Sequence, residues 1–464
     1  TVYNFTYDDW GRTVSTKVGS IALSTNFYDA YSRLSRVDFG NGSAVYYFYD
    51  SLDRVSAINK GNASMSWQAY EFIYDGEGNL YELRNYETHR STFFEYDHAG
   101  RCMASTEKSF TGSGSSIAYG TTVAAYNYKY DANNRLAKLT HTLAGYTWST
   151  EYSYDADGRQ SLVKLNNGKT IEYAYGTSTG RPDKITLHLD TDYVVDWTYK
   201  SGANGSATSL LSTYANGSDA KYNYDYDANG NITRIWRGNT SFTNASEKYS
   251  YVYDSANQLV RENLYYGSGN SSNATITYEY DIWGNLLNKK IYAYTIGTLG
   301  TARETVPYAY TNSAWKDQLT SYDGESITYD ASGNPTNYLG ATLVWEGQRL
   351  KSYTPKAASS GHANSYVYSY DENGIRTRKT IGNTVTDYYY NGTLLMGTVK
   401  TTTNSDGSTT TSKLRFSYDA DGKVVAVNYN GNYYYYLRNA QSDIVKLIDK
   451  TGATVVEYAY LNSD

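Results

Sequence analysis

A chain of 464 residues that carries 56 tyrosines against 10 phenylalanines and 8 tryptophans gives about 12% of its length to one side chain. Removing tyrosine leaves roughly 28% other apolar residues, thin for several compact cores unless tyrosine rings supply the packing area, and this argues against an ordinary α/β enzyme. With 41 basic and 47 acidic residues and a net charge of −6, spread without long runs, no cationic face for nucleic acid stands out. The lone Cys102 excludes an internal disulfide framework and a cysteine-based zinc site, and there is no apolar span long enough to cross a membrane as a helix.

Along the chain one phrase recurs. It appears at Tyr7, Asp8 and Gly11 (YDDWGR), Tyr96, Asp97 and Gly100 (YDHAGR), and Tyr154, Asp155 and Gly158 (YDADGR). It returns at Tyr226, Asp227 and Gly230 (YDANGN), Tyr280, Asp281 and Gly284 (YDIWGN), and Tyr329, Asp330 and Gly333 (YDASGN). The last copies are Tyr370, Asp371 and Gly374 (YDENG) and Tyr418, Asp419 and Gly422 (YDADGK). Looser copies start at Tyr28, Tyr49, Tyr74, Tyr130 and Tyr253, and the first five starts lie 21, 21, 25 and 22 residues apart. Each repeat is the length of one β-hairpin.

The phrase is read as a turn. Asp accepts a hydrogen bond from a backbone N–H two residues on, and Gly supplies a positive φ. Residues upstream alternate with period 2, as at Tyr126, Tyr128 and Tyr130, at Tyr222, Tyr224 and Tyr226, at Tyr366, Tyr368 and Tyr370, and at Tyr458 and Tyr460, which predicts strands. A second turn type, Asn-Gly, closes the other hairpin ends at Asn41, Asn167, Asn216, Asn391 and Asn430. Segments 110–120, 201–220, 267–274 and 401–412 are polar and read as elongated surface loops. Residues 315–354 are less regular, with Pro335 and Pro355 at or just past that stretch, and a change of sheet curvature is expected there. The prediction is all-β: a long antiparallel sheet of stacked hairpins, too large to stay flat and therefore coiled into a spiral, hollow barrel or shell.

These phrases resemble the YD-repeat, or RHS-repeat, family, which includes bacterial polymorphic toxins, the C components of insecticidal Tc toxins and the animal teneurins. Segment 317–350 is similar to the stretch before the last repeats of Gram-positive members, and 433–460 to the start of the RHS-associated core. On that basis 1–432 is read as the hairpin array and 433–464 as the start of a truncated core-like segment. The residues after Tyr460 depart from the family pattern, so the aspartyl autoproteolysis site and toxin of such members are not assigned, and the sequence reads as a piece of something longer. The resemblance implies a shell that encloses an attached C-terminal polypeptide, or, as in teneurins, an adhesive barrel.

Other chemistry is set aside on the residues. Asp155, Asp157 and Gly158 invite a calcium reading but lack the remaining ligands of a calcium loop. The turn aspartates recur, whereas a general acid and base pair is unique. His89, His98, His141, His188 and His362 are isolated, and Cys102 has no histidine partner in sequence. Sequons at Asn4, Asn41, Asn62, Asn204, Asn216, Asn231, Asn239, Asn244, Asn273 and Asn391 double as turn residues. Trp67, Trp148, Trp197, Trp236, Trp283, Trp315 and Trp345 are weighed as a sugar or peptide platform against cross-strand packing, which is favoured. The resulting reading is a non-enzymatic shell segment of a secreted or cell-surface protein, without cofactor, metal site, nucleic-acid partner or membrane span, scaffolding a C-terminal effector. The alternative is an extracellular adhesion or carbohydrate-binding protein whose partners are surface glycans or protein receptors.

Overall fold

Alternating tyrosine, β-branched and polar residues separated by Asp-x-x-Gly and Asn-Gly turns leave the backbone little choice but antiparallel pairing with its sequence neighbour. The computed structural model describes residues 1–177, 179–218, 221–356 and 364–458. His362, Tyr460 and residues 461–464, read above from sequence, lie outside them. The described residues form a 27-stranded and a 13-stranded sheet, and three short 3₁₀ turns are their helical elements. Successive strands pair antiparallel, as between Tyr3–Tyr7 and Thr13–Val18 and between Lys221–Tyr226 and Ile232–Arg237. The first sheet ends at Glu325–Ser326 and the second begins at Thr328–Tyr329, inside the irregular stretch around Pro335.

The chain divides into two compact units, one of Thr1–Ser149 with Tyr310–Phe416 and one of Thr150–Ala309 with Ser417–Asp464. Each therefore joins part of the first sheet to part of the second. In the first unit Val18, Ala69, Tyr70, Leu139, Leu143 and Trp148 of the first sheet are buried, as are Tyr389 and Met396 of the second. In the second unit Val163, Leu165, Ile171 and Leu187 are buried together with Ala426, Tyr435, Leu437 and Ile448. Burial follows period 2 where one face is covered, as in Leu136–Leu143 and Tyr146–Tyr154.

Two of the four expected loops are mostly strand. In 201–220 the strand Ala207–Asn216 pairs with Tyr193–Ser201 and with Lys221–Tyr226. In 401–412 the strands Leu394–Thr403 and Thr409–Tyr418 run on as one long hairpin closed at 404–408. Polarity misled the reading. Threonine and serine rows suit a solvated hairpin, and Thr402 pairs with Thr410 in that register.

Candidate functional site

The repeat phrase is the feature from which any function must be built, and its geometry is uniform. At Asp8 the Oδ1 accepts the N–H of Trp10 and of Arg12, each at 3.0 Å, while Oδ2 takes Arg12 Nε at 2.7 Å. The backbone closes beneath it, with Gly11 N–H donating to Asp8 O at 2.9 Å. The same set recurs at Asp97 with Arg101 and at Asp155 with Arg159, and with asparagine in the last position at Asp227, Asp281 and Asp330. Asp371 and Asp419 keep the backbone bonds, but Ile375 and Lys423 stand four residues on and make no side-chain bond to them.

Three residues after each Asp the backbone is left-handed: φ is 78° at Gly11, 74° at Gly100, 83° at Gly158, 86° at Gly230, 87° at Gly284, 84° at Gly333, 85° at Gly374 and 78° at Gly422. Four of the five looser copies hold the same conformation without glycine, at Ser32, Asp53, Asn134 and Asn257, and the copy at Tyr74 uses Gly78. The Asn-Gly ends use positive φ too, at Gly42, Gly168, Gly217, Gly392 and Gly431.

The repeat tyrosines do something the alternation does not reveal. Tyr28 OH donates to Thr13 O at 2.9 Å, and Tyr49, Tyr74 and Tyr96 reach Leu34, Val55 and Leu80 in the same way. Tyr130, Tyr175, Tyr253 and Tyr280 latch onto Cys102, Gln160, Ile232 and Leu259. In each case the acceptor lies five residues beyond the Asp of an earlier turn, so every latch ties one hairpin to the one before. A register shift falls immediately before Tyr7, Tyr28, Tyr49, Tyr154, Tyr226 and Tyr280, a bulge that bends the strand and increases its twist. Arg12 completes the unit by stacking over Tyr28, with its guanidinium carbon 4.2 Å from the ring centre.

A model for the teneurin YD-shell matches residues 1–85. The tRNA3(Ser)-specific nuclease WapA of Bacillus spizizenii is 34% identical over 145 residues, and the tRNA nuclease WapA of Bacillus subtilis 35% identical over 145 residues. Those matches cover 31% of this chain and 6% of the relatives. The crystal structure of TcdB2-TccC3 superposes on 99% of this chain with a TM-score of 0.67 at 17% identity. The Photorhabdus luminescens Tc holotoxin pore does so on 99% with 0.66 at 17%. The chain carries repeated Tyr-Asp turns and shares the fold of these structures. It spans about a quarter of the chains it superposes on, 25% and 24% respectively.

Elsewhere in the chain the residues singled out from sequence fall into place individually. His141 is buried against Trp148, their rings stacked at 4.8 Å, and burial holds its pKa down to about 3. His188 lies between Asp192 at 3.0 Å and Glu172 at 3.1 Å, which hold its imidazole above its ordinary value. Burial pushes the Cys102 thiol up, away from nucleophilic character. Trp148 is core, whereas Trp10 and Trp283 are 77% and 75% exposed at turn tips. Among the sequons, the side-chain amides of Asn41, Asn216, Asn231 and Asn273 already donate within the fold.

Two outcomes follow from the turn and the latch. Tyr280→Phe is expected to lower the unfolding free energy by about 0.5–1.5 kcal/mol, the net worth of one hydrogen bond, in urea denaturation; no loss would show that the latch bond is idle. The second concerns acid. Partial desolvation opposes ionisation of Asp8, Asp29, Asp50, Asp75 and Asp155, but hydrogen bonds from their turns outweigh it and hold these carboxyls below 3.8. A lowered folded pKa contributes stability above the unfolded value and loses it as pH falls through the folded one. Burial raises Asp371 and Asp419, which act in the opposite sense. The depressed turns outnumber them, so the thermal midpoint is expected to fall as pH drops below 3.8, and an acid-insensitive midpoint would contradict the turn geometry.

Proposed function

We propose that this chain is a wall segment of a shell that sequesters an attached C-terminal effector, in a secreted or surface protein, and that it performs no chemistry itself. The observation that carries the reading is the superposition over 99% of the chain on TcdB2-TccC3, one form of which was solved without its hypervariable C-terminal region. The partial likeness to WapA nucleases supports the same association of such walls with effectors. In this reading 1–432 is the array and 433–464 the start of a core-like segment. The turn residues are architectural, because their carboxylates are engaged by the turn itself. Isolation is steric: laddered strands make a wall, and an enclosed polypeptide is kept from its target.

The test is limited proteolysis of the full-length gene product. The polypeptide beyond residue 464 is expected to resist cleavage while 1–464 is intact, and to be cut once the wall is unfolded. A tail digested at the rate of the free tail, or a gene product with none, overturns the proposal. Purified 1–464 is expected to leave tRNA uncut. Cleavage would assign a nuclease activity to the repeats and overturn the non-enzymatic reading.

A further inference from the structure

The second unit contains a cavity of about 360 Å³, walled by Tyr173, Leu187, Trp197 and Tyr214 on one side and by Asp419 and Tyr436 on the other. Asp419 is a repeat-turn aspartate, and only 5% of it is exposed. What its carboxylate lacks is shown by its sister turns. Arg12, Arg33, Arg54, Arg101, Arg135 and Arg159 each bring Nε to Oδ2 of their turn Asp at 2.7 Å. Several of these guanidinium groups also lie on a neighbouring ring, as Arg54 does on Tyr74 at 4.1 Å and Arg159 on Tyr175 at 4.5 Å. A planar cation between a carboxylate and an aromatic face is thus the arrangement these arginine-bearing turns use at this position, where others carry asparagine.

At Asp419 that cation is missing. Its Oδ1 accepts the N–H groups of Asp421 and Lys423, and its Oδ2 has Tyr173 OH at 3.3 Å. Lys423, four residues on, is exposed and also lines the cavity, where its charge favours the ionised Asp419, but it makes no ion pair with it among the described residues. Arg438 also lines the cavity, but its guanidinium is held by Ser442 O at 2.7 Å and Val424 O at 3.2 Å. It stands where the next repeat has its latch tyrosine, and Val424 O is the carbonyl such a tyrosine would take. Asp421 adds a second negative charge beside Asp419. A nearly buried carboxylate without a close ion-pair partner is costly, and it faces a space well above the roughly 150 Å³ that holds one six-membered ring.

We propose that this cavity binds a guanidinium group from outside the repeat, seated on Asp419 with its plane against the Trp197 and Tyr214 walls. The rings of Trp197 and Tyr214 stack at 5.7 Å and 24°, so the aromatic face is already formed. The group belongs either to a small alkylguanidine or to an arginine side chain of a peptide. The site does not depend on whether the chain encloses an effector.

The test titrates intact 1–464 with ethylguanidinium, with the peptide acetyl-Gly-Arg-Gly-amide and with its lysine counterpart, followed by tryptophan fluorescence and thermal shift. Saturable binding of the guanidinium probes is expected, weakened about tenfold or more by Asp419→Asn. A peptide that binds more tightly than ethylguanidinium marks an arginine side chain as the source, and equal affinities mark the free alkylguanidine. Lys423→Arg is the decisive variant, since it restores the repeat's own partner. It is expected to leave the chain at least as heat-stable and to abolish binding by filling the site from within. No saturable response at millimolar concentrations, equal affinity for the lysine peptide, or unchanged binding in Lys423→Arg overturns the proposal.

Discussion

Replacing Arg90 with methionine is expected to lower the unfolding free energy of the first unit by about 3–5 kcal/mol, the cost of removing one partner from a buried ion pair. Arg90 bonds Glu107 at 3.0 Å through one terminal nitrogen, and Asp387 at 3.1 Å and Tyr389 OH at 3.1 Å through the other. Its guanidinium carbon also lies 4.5 Å from the centre of the Tyr389 ring. The side chains of Arg90 and Glu107 are 11% and 15% exposed, so solvent offers little compensation. Asp387 keeps a cation in Arg378 at 2.7 Å, whereas Glu107 is left alone. Burial already raises the Glu107 carboxyl despite Arg90, and without that charge it rises further. The defect is therefore expected to be largest at neutral pH and to shrink as the pH falls through the Glu107 value, where the carboxyl becomes neutral. Urea denaturation at neutral and mildly acid pH measures it. Adding Glu107→Gln should recover part of the loss, and a single variant within 1 kcal/mol of wild type would mean the network carries no net weight.

The second large effect is expected at Tyr70, 1% exposed on the strand Ser66–Tyr74. Its hydroxyl donates to Tyr370 O at 3.0 Å and Asp371 O at 2.9 Å, fastening the first sheet to a turn of the second within the same unit. Lys60, 4% exposed and paired with Glu87 at 2.8 Å, lies 5.0 Å from its ring centre, and Arg349 bonds the same Asp371 carbonyl. Tyr70→Ala empties a site enclosed on all sides and is expected to cost about 3–5 kcal/mol. Tyr70→Phe removes only the hydroxyl and is expected to cost about 0.5–1.5 kcal/mol. If phenylalanine were as damaging as alanine in the same denaturation series, the ring packing would not be the dominant contribution.

Much of this architecture was legible because its rules are local. Asp8 to Arg12 form one turn within five residues, and Tyr126, Tyr128 and Tyr130 declare a strand by alternation alone. The latch was not legible, because Tyr130 and Cys102 lie 28 residues apart and only the pairing of the strands between them brings the hydroxyl to that carbonyl. Nor was the contact of Tyr70 with Tyr370, 300 residues away, which depends on how two sheets meet inside a unit. The Asp419 site lay between these extremes. Lysine in place of arginine at position 423 is visible in YDADGK, but only the fold places a cavity and the rings of Trp197 and Tyr214 beside it. The tyrosine excess has likewise changed meaning. Tyr70, Tyr126, Tyr152, Tyr224, Tyr389 and Tyr435 are buried, whereas the repeat tyrosines are only partly covered and act through their hydroxyls.

The latch fixes the gauge between neighbouring hairpins at one end only. Tyr28 spans 15 residues to its acceptor and Tyr130 spans 28, yet both bonds measure 2.9 Å. Hairpin length is thereby uncoupled from hairpin spacing: arms can lengthen at the far end, as Cys102–Thr111 and Ala118–Tyr130 do, without disturbing the join. A repeat of this kind can vary in length hairpin by hairpin while the latched seams keep the same stitch.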